Sequence, residues 1–359
     1  MADSRHIKGR GAPLNTASAR FNLPSHEAHG DWLDASDTID GPPPPLRTSV
    51  TIEHPRSILS RNNSPDIPFD QSINAYRGCE HGCIYCYARP THAWLDLSPG
   101  LDFESRLFAK PDAARLLRET LRKPGYVPKV IALGTNTDPY QPIEAEYRIT
   151  RSILEVCLEA RNPVAITTKS DRVLADVDLL EQMARLDLVA VALSVTTLDG
   201  AIARTLEPRA AAPRKRLAAI RALSDRGIPA HMNVSPVIPA ITDHEIEALV
   251  AAGAAAGALS ASFIPVRLPH EVAPLFRAWL DAHYPERASK VMAIIQEMRG
   301  GRDNDPGFGT RMRGTGPWAD LIRTRFRLAV RRAGMNQHKW ELSVDGFRVP
   351  ADGTQGELF

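Results

Sequence analysis

Between residues 73 and 265 the chain repeats one pattern six times: a short run rich in Val, Ile and Thr, then a longer stretch rich in Ala, Leu and Arg. The runs 73–76, 130–133, 164–168, 189–195, 230–234 and 260–265 have the length and β-branched content of strands. Helical patterns near 111–122, 143–160, 172–185, 210–226 and 242–256 separate them. Strands alternating with helices at this spacing imply βα units around a parallel sheet. Six units are too few to close an eight-stranded barrel. In barrels the informative residues stand just after each strand, at its carboxyl end.

The loop after the first strand reads Arg77-Gly78-Cys79-Glu80-His81-Gly82-Cys83-Ile84-Tyr85-Cys86-Tyr87 and holds three of the four cysteines. A [4Fe–4S] cube has four iron corners, and thiolates are their usual protein donors. Cys79, Cys83 and Cys86 supply three, leaving one iron open, as catalytic metal sites keep an open position. A structural zinc site wants four ligands, and only His81 and His92 are near enough in sequence to be the fourth. Disulfide pairing would leave one of the three over, and no secretory signal places the chain in an oxidising compartment.

The arrangement Cys79-x3-Cys83-x-Tyr85-Cys86-Tyr87 resembles the cluster loop of the radical S-adenosylmethionine (radical SAM) enzymes, and within them the spore-photoproduct-lyase-like branch. The run from Ser72 to Lys110, with Tyr76-Arg77-Gly78-Cys79 and Ser98-Pro99-Gly100-Leu101-Asp102-Phe103-Glu104, is similar to a bacterial subgroup of that branch. The resemblance extends from about Gly9 to Gly334. It implies an α/β fold, a partial (βα)6 TIM-like barrel, with a [4Fe–4S] cluster and S-adenosylmethionine as cofactors. It also implies reductive cleavage of that cofactor to a 5′-deoxyadenosyl radical, with a reduced flavodoxin or ferredoxin as electron donor.

Around this barrel (66–270) the sequence suggests a disordered leader over 1–65, which contains Pro42-Pro43-Pro44-Pro45 and no sustained periodicity. A helical, Arg/Gly-rich extension over 271–340 and a flexible tail over 341–359 are expected after it. No apolar run reaches the roughly 18 residues of a membrane span, so a cytoplasmic protein is expected. The net charge of +2 does not by itself point to nucleic acid. Arginine is abundant and lysine scarce, a balance that a GC-rich genome would also produce.

The resemblance assigns the strand ends. After the second strand, Gly134-Thr135-Asn136-Thr137-Asp138-Pro139-Tyr140-Gln141-Pro142 offers Thr137 and Asp138 to the amino group of the cofactor's methionine. Lys169 after the third strand is the candidate for its carboxylate, and Ser194 after the fourth for the ribose or carboxylate. Ser235 belongs to a segment that could line the adenosine, backbone near residues 264–266 could read the adenine, and Tyr85 could pack against the cofactor or close the loop onto the barrel.

The chain departs from the lyases in one respect. They return a hydrogen atom from a cysteine at the second strand's end, where this sequence has Thr135 and no thiol. Cys157, the remaining cysteine, lies in an apolar helical stretch and reads as a small core residue. Tyr87 and Tyr140 are the candidates for a catalytic relay instead. Repair of spore photoproduct is not the expectation.

The expected substrate is a nucleic acid or nucleotide, with DNA repair one setting for it. Arg-rich stretches over 299–332, and Arg204, Arg209, Arg214, Lys215 and Arg216, could contact phosphates. Gln355-Gly356-Glu357-Leu358-Phe359 is similar to peptides that bind the bacterial sliding clamp. Modification of a protein or small metabolite, and a non-catalytic Fe–S or zinc DNA-associated module, are the alternatives.

Overall fold

The computed structural model describes residues 9–21, 46–337 and 341–351. Ten strands run in chain order: β1 Ser49–Ile52, β2 Leu59–Arg61, β3 Gln71–Ile73, β4 Tyr76–Arg77, β5 Arg106–Ala109, β6 Ile131–Leu133, β7 Val164–Thr168, β8 Val189–Ser194, β9 Ala230–Val237 and β10 Ser260–Pro265. The main sheet has the order β10-β9-β8-β7-β6-β3-β2. Its first six members are parallel, and β2 joins antiparallel at the β3 edge. The two edges do not pair, so the parallel sheet that the alternation led one to expect is the open six-stranded partial barrel that the resemblance implied. A second sheet, β1-β5-β4, stands beside the cluster loop.

Period-2 burial shows which way each strand faces. In β9, Ala230, Met232 and Val234 are buried, and Met232 lies against Gly253 of the helix Ile246–Ala255. His231, Asn233 and Ser235 therefore face the lumen. The helices Ala113–Leu121, Ile149–Ala160, Val177–Ala184, Pro213–Ser224 and Ile246–Ala255 cover the outer face, as the five helical patterns suggested.

The extension after residue 271 is not peripheral. The inner side of the helix Gly316–Arg332 (Ile322, Phe326, Ala329, Val330) joins the main core, with Phe326 against Phe263 of β10, ring centroids 4.7 Å apart. The helices Val272–His283 and Pro285–Met298 form a second core with Ile84 and Tyr85 of the cluster loop. Part of the stretch expected as a leader is docked as well: residues 9–21 lie on the cluster loop, and β1 and β2 each complete a sheet. The tetraproline and the clamp-like tail Gln355–Phe359 lie outside the described residues. No described helix is long and apolar enough to cross a membrane.

Cys157 is wholly buried in the helix Ile149–Ala160, and burial pushes its thiol up to about 12. It is a core residue remote from the cluster loop's chemistry. Cys157→Ser should cost about 1–3 kcal/mol by burying a poorly satisfied hydroxyl, seen as a lower urea midpoint at unchanged slope. Iron content after reconstitution should not change, and a loss of iron would place this thiol among the ligands.

Candidate active site

The cluster loop leaves β4 through Gly78, whose φ of +73° is a left-handed conformation. A Cβ there would stand 2.6 Å from Leu107 Cδ2 and 2.8 Å from the Phe103 carbonyl, so the close approach as well as the dihedral calls for glycine. The loop is then tied to the barrel on three sides. Cys79 N donates to Phe103 O (2.9 Å), Ile84 N to Leu206 O (3.0 Å) and Arg209 N to His81 O (3.2 Å). Gln141, wholly buried in the loop after β6, accepts from Glu80 N and donates to Gly78 O.

Beneath the loop lies Arg89, fully buried. Its guanidinium donates to the carbonyls of Gly82, Cys83, Pro99 and Gly100 at 2.9–3.1 Å and pairs with Glu104. Glu104 in turn accepts from Gly11 N and Ala12 N, at 2.9 and 2.8 Å. The Ser98–Glu104 motif is therefore the underside of the cluster loop: two of its carbonyls and its carboxylate hold Arg89. Gly11 fits so closely that a Cβ would stand 1.8 Å from Gly82 O.

A second buried pair, Arg216 with Glu207, holds the other flank. Glu207 also accepts from the hydroxyls of Tyr85 and Thr196. Burial opposes its ionisation, but Arg216 and Lys169 lower its pKa to about 2. Tyr85 thus closes the loop onto the barrel through its hydroxyl, while Lys169 Nζ stands 5.7 Å over its ring. Of the second basic cluster, Arg216 is structural, Arg209 faces Glu80 at 3.2 Å and Lys215 faces Asp171 at 3.8 Å.

Asp138 is also committed. Oδ1 accepts from Tyr140 N (2.9 Å) and Thr168 Oγ1 (2.6 Å), and Oδ2 accepts from Lys169 N (2.7 Å) and faces His81 Nδ1 at 3.3 Å. Burial raises its pKa, yet His81 and these donors bring it to about 2. These contacts lock the loop after β6 to the end of β7. Thr137 beside it is buried at the same strand end. Tyr140 is buried in the core with its hydroxyl on Asp176 at 3.1 Å, so it does not face the mouth. Tyr87 does: its ring is half exposed and its hydroxyl donates to Thr135 O.

The donor set fits a cube. Cys79 and Cys83 are buried and Cys86 half-buried, all as free thiols on one loop. Burial, Asp138 and the other two sulfurs push the Cys79 thiol up, and Cys83 is raised to about 12. Positive charge at the site is what would hold all three as thiolates. Lys169 supplies some of it: burial opposes its charge, but Cys83 and Glu207 raise its pKa. Of the two histidines, His81 faces Asp138 through Nδ1, and His92 meets Arg106 O through Nε2 at 2.9 Å while its Nδ1 is buried without a partner among the described residues. Among the described residues no three His, Cys, Asp or Glu side chains are grouped to hold a single metal ion. That argues against a zinc module, whereas the thiolates of a cube each bind a different iron and need not converge on one point.

Of the other residues expected at the cofactor, Lys169 follows β7, Ser194 ends β8 and Ser235 lies two residues before the end of β9. The Ser235 hydroxyl is buried without a hydrogen-bond partner among the described residues, as expected of a group that awaits a ligand. It sits where β9 and β10 slip register, Phe263 pairing with Val234 but Pro265 with Val237, and such bulges re-aim side chains beside active sites.

A polar lumen below these strand ends was not singled out from the sequence. Ser260 Oγ meets His231 Nδ1 (2.6 Å), His231 Nε2 meets Ser262 Oγ (2.9 Å), and Ser262 donates to Asn233 Oδ1 (2.6 Å). Burial lowers the His231 pKa, so the ring is neutral near pH 7, and the direction of the chain assigns its proton to Nε2. Closed barrels fill these layers with bulky branched residues. The alternation His231-x-Asn233-x-Ser235 beside Ser260-x-Ser262 is the sequence signal that marks the difference.

The model of the Radical SAM superfamily matches residues 73–252, and the chain belongs to that superfamily. An uncharacterised protein of Mycobacterium tuberculosis is 36% identical over 236 residues, 65% of this chain and 69% of the relative. One from Methanocaldococcus jannaschii is 31% identical over 173 residues, 48% of this chain and 62% of the relative. Among solved structures, spore photoproduct lyase complexed with dinucleoside spore photoproduct superposes with a TM-score of 0.54 at 17% identity, covering 79% of each chain. A variant of that lyase with bound AdoMet gives 0.53 at 16% identity, again over 79% of each chain. These likenesses establish the shared fold. The chain is therefore an enzyme of the radical SAM class, using a [4Fe–4S] cluster and S-adenosylmethionine.

Two outcomes test the loop's supports. Glu104→Ala strands the Arg89 charge and should cost about 3–5 kcal/mol, with a lower iron-to-protein ratio after reconstitution; an unchanged urea midpoint would refute the role of the pair. Glu207 has a folded pKa of about 2, below an unfolded value of about 4.3. Its contribution is complete above the unfolded value and disappears as pH falls from there towards the folded one. Over that window wild-type stability should fall more steeply with acid than that of Glu207→Gln, measured by urea unfolding at each pH.

Proposed function

We propose that this enzyme abstracts a hydrogen atom from a nucleic-acid or nucleotide substrate held over the open end of the barrel. When bound, the cofactors supply one-electron cleavage of the sulfur–C5′ bond, giving methionine and a 5′-deoxyadenosyl radical. The protein's part is to hold and shield that chemistry. Cys79, Cys83 and Cys86 would carry the cluster, with Arg89 and Glu104 fixing the loop that bears them. Lys169 would take the methionine carboxylate, and Ser194 and Ser235 the nucleoside end. A reduced flavodoxin or ferredoxin would deliver the electron.

The observation that carries the cofactor reading is the loop itself: three free thiols on one short loop at the barrel mouth. For the substrate, the support is the placement of cationic residues. Arg267 follows β10 directly and stands with its Cζ 5.9 Å from the ring of Tyr87, the residue after Cys86. With no thiol at the end of β6, Tyr87 is the side chain at the mouth suited to pass a hydrogen atom.

Anaerobically reconstituted protein given dithionite and S-adenosylmethionine should release 5′-deoxyadenosine, and any one of the three Cys→Ala variants should not. Lys169→Ala should weaken S-adenosylmethionine binding about tenfold or more, read by calorimetry on the reconstituted protein. Intact cluster without any 5′-deoxyadenosine would refute the reading.

A further inference from the structure

Arg267 is a partly buried cation that the protein does not neutralise. Among the described residues it forms no ion pair, its Nη1 contacts only Met312 Sδ at 3.5 Å, and its Nε is buried with no hydrogen-bond partner. The neighbouring charges make its position worse. Burial and Arg311 both lower its pKa, and only Tyr87 and the more distant Asp66 and Asp305 oppose them. Nearby Arg299 is 2% exposed and spends its guanidinium on the carbonyls of Pro265, Val266, Thr310 and Arg311. A desolvated guanidinium without an anion is unfavourable unless a ligand brings one.

The surroundings say what kind of ligand. Arg299 pins the glycine-rich segment 300–315 against the end of β10, and Arg311 ties it to Asp66, ahead of β3, through two bonds of 2.6 and 2.7 Å. This segment therefore runs from the end of β10 to the connection between β2 and β3 at the opposite edge of the open sheet. It carries Phe308, 60% exposed, with the Arg311 Cζ 4.7 Å from its ring. Phe308, Arg311, Arg267 and Tyr87 thus succeed one another from the outer rim to the cluster loop, an exposed aromatic ring at each end and an uncompensated cation between. Alternating aromatic faces and cations are how proteins hold a single nucleic-acid strand, bases stacked and phosphates paired.

We propose that these residues form a single-strand nucleic-acid track in which Arg267 binds a backbone phosphate and Tyr87 and Phe308 stack bases, leading the strand to the cluster. Arg311, saturated by Asp66, positions the segment and Phe308. The inference rests on the nucleic-acid reading above and adds residues to it, three of which (Arg267, Phe308 and Arg311) lie beyond the span matched by the superfamily model.

The test is fluorescence anisotropy of a labelled oligothymidylate strand of about 12 nucleotides titrated with the full chain across a salt series. Arg267→Gln should weaken binding about tenfold and reduce the slope of log K against log salt by about one. Phe308→Ala should weaken it about tenfold while leaving the slope alone. Because Phe308 is exposed, that variant reports even if Arg267→Gln folds poorly. Wild-type affinity and slope in both variants would overturn the track while leaving the nucleic-acid reading standing. Absence of strand binding by the wild type at about 50 mM salt would overturn both. Inorganic phosphate or thymidine monophosphate as the sole bound species would instead mark a small-anion site and reject the strand.

Discussion

Arg89 and Glu104 form the interaction on which the site depends. A guanidinium with no access to water must spend its donors on the protein, and here it spends them on four carbonyls and one carboxylate. Two of those carbonyls belong to the loop that bears the cysteines and two to the Ser98–Glu104 segment. The carboxylate then reaches the backbone of Gly11 and Ala12. One buried pair therefore joins three separate pieces of chain beneath three thiols. A planar fork with fixed donor directions suits this task in a way that a lysine, as a point charge, does not.

The Arg216–Glu207 pair does the same on the other flank, and the two together explain why a loop with three thiols and two glycines keeps one shape. Glu207 orients Tyr85, Tyr85 lies under Lys169, and Lys169 is held at its backbone by Asp138. The strand ends are thus cross-connected before any cofactor arrives. Pre-organisation of this sort reduces the ordering cost of binding. Asp138 illustrates the distinction between a polar residue at a strand end that meets a ligand and one that builds the rim for it.

Openness is the second constraint. The sheet is open between β10 and β2, which pairs on β3, and the chain manages the gap with elements from beyond the barrel. The helix Gly316–Arg332 covers β10, and the segment 300–315 crosses the mouth from Arg299 to Asp66. Inside, His231, Asn233, Ser260 and Ser262 hydrogen-bond to one another in place of the bulky layers of a closed barrel. A lumen lined in this way keeps its polar groups satisfied while leaving room above them.

The strands, their order of appearance and the grouping of three thiols on one loop were legible in the sequence, because each rests on local information: a two-residue or 3.6-residue period, or a fixed spacing between thiols. The buried cysteine of the helix Ile149–Ala160 was legible for the same reason. The partners of Tyr140 and Asp138 were not legible, because a sequence shows that a polar residue ends a strand but not which way it turns. Arg89 and Glu104 were invisible as partners, as were Gly11, Gln141 and Arg267, since a polar pair separated by many residues leaves no periodic trace. Local chemistry decided which atoms could hold the cofactors; only the packing of distant segments decided which charges were neutralised within the fold and which were left for a ligand.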